Sequence, residues 1–117
     1  MTTRGYPCSV RRVIDGDTIE VLVDHGFRIS SVQSVRIFGI NAPELSTAAG
    51  QVSAQWARTW VGTPFGDWPF TLVAQSESDK YGRRLGDVVK PSGESYAASI
   101  LAAGHAVVWD GKGPKPV

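Results

Sequence analysis

The sequence predicts a fold of the α+β class that is mainly β, namely a five-stranded Greek-key barrel of the OB type with two or three helices. A chain of 117 residues holds one hydrophobic core, so we expect a single domain over residues 1–117 that ends in a flexible tail at about 111–117. Thirteen glycines and seven prolines favour turns and short strands over a helical bundle. Five strand-like segments, with one helix between the third and the fourth, are the element order of an OB barrel.

The first two strands are predicted from apolar residues on either side of a turn. Residues 9–14 lead into Asp15-Gly16, a dipeptide typical of hairpin turns. Residues 18–23 then alternate between apolar and polar side chains, so one face of this strand faces the core. The apolar face consists of Ile19, Val21 and Val23.

Residues 27–40 are predicted as the third strand. In its second half Val35 and Ile37 share one face, which places Arg36 and Ile40 together on the opposite face. The strand ends before Pro43, because proline has no N–H for a strand ladder.

The rest of the chain is predicted as two helices and two strands. Apolar residues at helical spacing predict the first helix over 46–61, with Gly62 just past its end. Two further strands are predicted at 70–74 and 85–89, and a short helix at 95–103.

Charge and cysteine content exclude several classes of protein. The net charge of +1 excludes a broadly basic nucleic-acid-binding surface, so any phosphate binding is expected to be local. A single cysteine, Cys8, and two histidines cannot form a disulfide or a four-ligand zinc site, and we expect His25 and His105 to be ordinary surface residues. Because no apolar stretch is long enough for a signal peptide or a membrane span, we expect a cytoplasmic protein, or a secreted one if a leader was removed ahead of Met1.

A first polar motif, Asp15-Gly-Asp-Thr18, lies in the bend between the first two strands. Its two carboxylates supply the oxygen ligands that calcium prefers, although Asp-Gly is also a common hairpin turn. The spacing does not fit an EF-hand loop, so a metal at Asp15 and Asp17 would need ligands from another segment.

Two further segments carry charged groups suited to phosphate. Arg36 lies in an apolar strand that ends at Asn41 and Glu44, so its guanidinium is either solvated at a strand edge or directed at an anion. Residues 79–84 form a turn with two arginines, a lysine and a tyrosine, which suits phosphate pairing and base stacking. A solvated hairpin explains that turn equally well.

Taken together, these motifs resemble the staphylococcal nuclease (thermonuclease) family. The resemblance rests on Asp-Gly-Asp-Thr at 15–18, Arg-x-x-Gly-Ile-Asn-x-Pro-Glu at 36–44 and Asp-Lys-Tyr-Gly-Arg at 79–83, in this order. It implies a five-stranded OB barrel and calcium-dependent hydrolysis of phosphodiester bonds in DNA and RNA, with little sequence specificity, leaving 3′-phosphate and 5′-hydroxyl ends.

The resemblance also implies a site for one calcium ion. By position, Asp17 is the carboxylate ligand, and the Asn41 side chain and the Ala42 backbone carbonyl complete the protein's ligands. Asp15 matches an acidic position just behind this set. Asn41 and Ala42 depart from the family pattern, which has aspartate and threonine there, so we expect weaker calcium binding.

The catalytic and substrate-binding residues are implied in the same way. Glu44 matches the general base, and Arg36 and Arg83 match the two arginines that hold the phosphate. Lys80 and Tyr81 match residues beside the terminal phosphate of a bound nucleotide.

We expect a monomer that acts on DNA and RNA and prefers single strands. The alternative is a non-catalytic OB module that binds nucleic acid or peptide. The presence of Asp17, Arg36, Glu44 and Arg83 favours the enzyme.

Overall fold

The computed structural model describes residues 3–62, 68–78 and 81–109. The strands are β1 (Thr3–Asp15), β2 (Thr18–Asp24), β3 (Ser30–Ile37), β4 (Ile40–Asn41), β5 (Phe70–Ser78), β6 (Arg84–Val89) and β7 (Val107–Val108), and the helices are α1 (Ala48–Val61) and α2 (Tyr96–Ala102). Five strands close into a barrel in the order β1-β2-β3-β6-β5, and β4 pairs with β7 in a small second sheet. The predicted fold class is confirmed. The predicted tail at 111–117 lies outside the described residues.

The barrel closes through β1 and through a parallel pair. β1 is antiparallel to β2 along its second half and to β5 along its first half, from Thr3 to Cys8. β3 and β6 run parallel, with Val35 opposite Arg84. Since β3 and β6 are far apart in sequence, their pairing brings the start of the second polar segment, at Arg36, next to the end of the third, at Arg84.

The core fills the barrel and continues under the helices. Ile19, Val21 and Val23 are at most 1% exposed, which confirms the predicted apolar face of β2. α1 begins after Thr47, whose side chain accepts the Gly50 N–H, and ends at Gly62 as expected. None of the described helices is long and apolar enough to cross a membrane.

The predicted third strand was wrong in its extent. β3 is shorter, and Ile40 belongs to β4, where it is only 2% exposed rather than sharing a face with Arg36. The cause is Gly39, whose φ of +85° turns the chain and interrupts the alternation of side chains. The first strand also begins earlier than predicted, at Thr3, because pairing with β5 draws in a segment whose Gly5 and Pro7 do not by themselves indicate a strand.

Candidate active site

The three polar motifs meet at one open cleft of about 470 Å³. Its lining residues come from the β1–β2 turn, from the segment that follows β3 and from the residues ahead of β6. They are Asp15, Asp17, Arg36, Ala42, Pro43, Glu44, Tyr81 and Arg83.

Strand register explains why these motifs come together. Thr18, the first residue of β2, pairs with Arg36 in β3, so the Asp-Gly-Asp turn lies beside the arginine. Leu85 of β6 pairs with the same Arg36, which places Arg83 at this end of the barrel. The Ile37 N–H donates to the Asp17 carbonyl at 2.8 Å and fixes the turn against β3.

Asp17 is the centre of the hydrogen-bond network in the cleft. Its Oδ2 accepts the Ala42 N–H at 2.9 Å and lies 3.5 Å from Arg36 Nη2. Its Oδ1 accepts the Thr18 hydroxyl at 3.2 Å. The Asp17 and Arg36 side chains are only 13% and 12% exposed, so the pair is held in fixed geometry and is poorly screened by water.

Arg36 is supported from two further directions. Its Nη1 donates to the Ile37 carbonyl at 2.9 Å, and its guanidinium carbon lies 6.0 Å from the centre of the Trp109 ring. The sequence left two interpretations for Arg36, namely a guanidinium solvated at a strand edge or one directed at an anion. The structure shows a part-buried guanidinium on the cleft wall.

Arg83, which lies just ahead of β6, lines the same cleft. Its Nη1 donates to the Thr18 hydroxyl at 3.5 Å, and its guanidinium carbon lies 5.4 Å from the centre of the Tyr81 ring. Thr18 therefore links Arg83 to Asp17, and two guanidiniums and a carboxylate form one connected network.

Glu44 is exposed at the rim of the cleft, and its backbone is held by the start of α1. Its carbonyl accepts the Thr47 N–H at 3.0 Å and the Thr47 hydroxyl at 2.7 Å. Gly50 lets the chain pass very close to the helix, since a Cβ on this residue would lie 1.8 Å from the Glu44 carbonyl oxygen. The position of Glu44 thus depends on a glycine in the first turns of α1.

The acidic pair at the turn is crowded. The Asp17 N–H donates to Asp15 Oδ1 at 3.0 Å. Burial and the neighbouring Asp17 side chain raise the pKa of Asp15 to about 6. Both carboxylates line the cleft together with Ala42, so the metal ligands available there are oxygens, which suit a hard cation such as calcium.

Of the residues implied by the resemblance, Asn41 is described and does not line the cleft. Asn41 is 2% exposed and pairs with Val107 in the small sheet. Lys80 lies outside the described residues. Within the described part of the chain, no group of three or more His, Cys, Asp or Glu residues is arranged to hold a metal ion.

The structure adds Tyr96, which the sequence analysis did not single out. This tyrosine of α2 is fully buried, and its hydroxyl donates to the Gly16 carbonyl at 2.6 Å, between the two aspartates of the turn. Burial and the nearby Asp17 and Asp15 carboxylates raise its pKa. Nothing in the spacing of α2 distinguishes Tyr96 from an ordinary core aromatic residue.

Comparisons with known proteins agree with this architecture. The chain is 32% identical over 108 residues to an uncharacterized endonuclease of Escherichia coli O157:H7, an alignment that covers 92% of this chain and 64% of the relative. It is 40% identical over 79 residues to Protein ParB of Escherichia coli, covering 68% of this chain and 39% of that protein. It is 36% identical over 85 residues to a micrococcal nuclease of Shigella flexneri, covering 70% of this chain and 41% of that protein.

The chain thus spans a little under two thirds of the length of the endonuclease it matches. No protein-family model matches the chain.

Proposed function

We propose that the chain, which belongs to the staphylococcal nuclease family, is a calcium-dependent nuclease that hydrolyses phosphodiester bonds of DNA and RNA with little sequence specificity. The observation that carries this proposal is that Asp17, Arg36, Glu44 and Arg83 line one cleft. We further propose that residues 1–117 act as one monomeric domain that prefers single strands and leaves 3′-phosphate and 5′-hydroxyl ends.

The two arginines would bind the scissile phosphate and stabilise its transition state. When water attacks phosphorus, negative charge builds up on the equatorial oxygens, and fixed positive groups lower the energy of that state. Guanidiniums suit this task because they stay protonated and can donate two parallel hydrogen bonds to one phosphate. The contacts of Arg36 with Ile37 and of Arg83 with Thr18 hold both groups in place before substrate arrives.

Glu44 would act as the general base. Its exposed carboxylate at the rim can take a proton from the attacking water as the new P–O bond forms. The bond from phosphorus to the 5′ oxygen then breaks, and that oxygen leaves as a hydroxyl after taking up a proton. The Thr47 hydrogen bonds to the Glu44 carbonyl fix the backbone from which this carboxylate projects.

Asp17 and the Ala42 carbonyl would hold calcium, with Asp15 behind them. A bound calcium ion would neutralise phosphate charge and orient the substrate. The potential metal ligands in the cleft are oxygens, which fit such an ion. Asn41 is buried beside Ala42 and is not among the lining residues, so a variant at Asn41 is the most informative test of the ligand set.

The test is digestion of single-stranded DNA, duplex DNA and RNA with calcium, and again with excess chelator. We expect cleavage only with calcium, fastest on the single strand. Arg36→Ala and Arg83→Ala should each lower the rate about a hundredfold or more, and Glu44→Gln by roughly a hundred to ten thousandfold. Glu20→Gln is the matched control, because Glu20 pairs with Arg11 and Arg12 and is not among the described residues that line the cleft.

Two results would contradict the proposal. Cleavage that persists in chelator would exclude the calcium role of Asp17. Cleavage by the wild type that is no faster than a background shared by all three cleft variants, with thermal stability intact, would favour the alternative of a non-catalytic OB module that binds nucleic acid or peptide.

A further inference from the structure

A second cleft of about 610 Å³ opens at one end of the barrel. We call it the barrel mouth and define it by the polar side chains that line it, which are Arg4, Tyr6, His25, Gln33, Gln75 and Arg84. Its volume is in the range of small-molecule binding sites.

The register of the barrel strands places Arg4 and Arg84 on the face of the sheet that lines the mouth. Arg84 pairs with Val35, which is fully buried, and directly paired residues share a face of the sheet. Arg4 pairs with Ala74, which is 6% exposed, by the same rule. The floor beneath them is apolar, since the buried Val23 also lines the mouth.

The charges at the mouth are not balanced. Neither Arg4 nor Arg84 forms an ion pair in the part of the chain that the structure describes. No aspartate or glutamate is found among the described residues that line the mouth. Arginines set above an apolar floor without a carboxylate partner favour an anionic ligand.

The mouth also contains a hydrogen-bond acceptor without a donor. Gln75 Oε1 is buried, and no described group donates to it. A ligand that satisfies both features carries an anionic group for the arginines and an N–H or O–H for this amide. A nucleotide has both, because its phosphate is anionic and its base or sugar carries donors. Tyr6 and His25, whose rings are in edge contact 5.9 Å apart, provide aromatic surface at the rim.

The barrel mouth and the active-site cleft share a wall. Tyr81 and Arg83 line the cleft that contains Asp17, whereas Gly82 and Arg84 line the mouth. The same four-residue segment therefore separates the two clefts, with Arg83 lining one and Arg84 lining the other. A strand that crosses this segment from the active site would therefore reach the mouth.

We propose that the barrel mouth is a second nucleotide-binding site, which holds one nucleotide of the same single strand whose scissile phosphate lies in the active-site cleft. This proposal deepens the proposed function and rests on it in taking nucleic acid as the ligand. A recessed cleft at the end of a barrel admits an unpaired base and excludes a paired one, so the mouth would select single strands over duplex.

The test measures binding of labelled single-stranded DNA by fluorescence anisotropy in excess chelator, where no hydrolysis occurs. One oligonucleotide has about eight nucleotides, within the site size of an OB fold, and one has only two, too short to reach both clefts. Arg4→Ala and Arg84→Ala should each weaken binding of the longer strand about tenfold and change binding of the dinucleotide less than about twofold. The slope of log affinity against log salt should fall by about 0.7 for each phosphate that an arginine no longer neutralises.

Arg58→Ala is the matched control, because it removes the same charge from the exposed face of α1. Arg4 is exposed, so its variant is expected to fold even if Arg84→Ala does not. The proposal is overturned if both arginine variants bind the longer strand like Arg58→Ala, or if long and short strands lose affinity equally. It is also overturned if a free nucleoside monophosphate competes as well as the strand, since the mouth would then be an independent nucleotide site.

These results are separable from the proposed function. Length-dependent binding through Arg4 and Arg84 without cleavage in calcium would support the barrel-mouth proposal and contradict the nuclease proposal. Cleavage by the wild type together with normal binding of long strands by both arginine variants would support the nuclease proposal and contradict the barrel-mouth proposal.

Discussion

Gly50→Ala is expected to destabilise the protein although alanine is the better helix former. Intrinsic helix propensity alone favours alanine over glycine by about 1 kcal/mol. The added Cβ, however, would lie 1.8 Å from the Glu44 carbonyl oxygen and 2.9 Å from the Leu45 Cα. Both atoms belong to backbone, so they cannot move aside as the end of a flexible side chain can.

The size of the effect follows from what must shift. Forcing an extra carbon into a packed contact typically costs about 1–3 kcal/mol. If the Glu44 carbonyl moves away, its two hydrogen bonds from Thr47 weaken, at about 1 kcal/mol each. After subtraction of the propensity gain we expect a net loss of about 2 kcal/mol and a drop in Tm of roughly 6–10 °C.

The assay pairs thermal unfolding with nuclease rate. Ala49→Gly is the control, because Ala49 is exposed in the same turn of α1 and loses only helix propensity, about 1 kcal/mol. Measured well below both melting points, Gly50→Ala should lose about a hundredfold in rate, as expected for a general base displaced by about 1 Å, while Ala49→Gly keeps its rate. A higher Tm for Gly50→Ala would show that the Glu44 backbone does not press on the helix as described.

Three further outcomes are expected. Tyr96→Phe should lower the free energy of unfolding by about 1–3 kcal/mol in a urea titration, because the Gly16 carbonyl loses a buried donor, and an unchanged midpoint would contradict that bond. Asn41→Asp should raise calcium affinity in calorimetry of the free protein by adding a negative charge, whereas unchanged affinity would mean that residue 41 is not a ligand. Because burial raises the pKa of Cys8 to about 12, only about one thiol in ten thousand is ionised at pH 8; an aromatic disulfide reagent should label Cys8 in urea but not in the folded protein, and rapid labelling of the native state would indicate that β1 opens.

The sequence predicted those parts of the fold that are set by local pattern. The alternation of β2, the end of α1 at Gly62 and the order of the five barrel strands around α1 follow from neighbouring residues, and each was confirmed. The start of β1 was missed because its strand conformation comes from pairing with β5, about 65 residues away along the chain. Ile40 was misplaced because a single positive φ, at Gly39, changes which side a residue faces.

The candidate site divides in a similar way. Polar motifs showed which segments to bring together, and the barrel register places them around one cleft. Tyr96 was not predictable, because a buried tyrosine in a short helix shows its hydrogen-bond partner only once the helix is packed. The barrel mouth was not predictable either, since Arg4 lies in a segment with no strand signal and only its pairing with Ala74 places it beside the mouth.

Because β1 pairs with a strand that lies far along the chain, the barrel can close only late in synthesis. Residues 3–8 have no strand partner on that side until residues 70–75 have been made. Asp17 precedes Arg83 by 66 positions, which at typical rates of translation is a delay of roughly 3–13 s. Tyr96 arrives later still. A nascent chain therefore carries the acidic turn well before the groups that complete its surroundings, and we expect it to leave nearby RNA uncut until the barrel has closed.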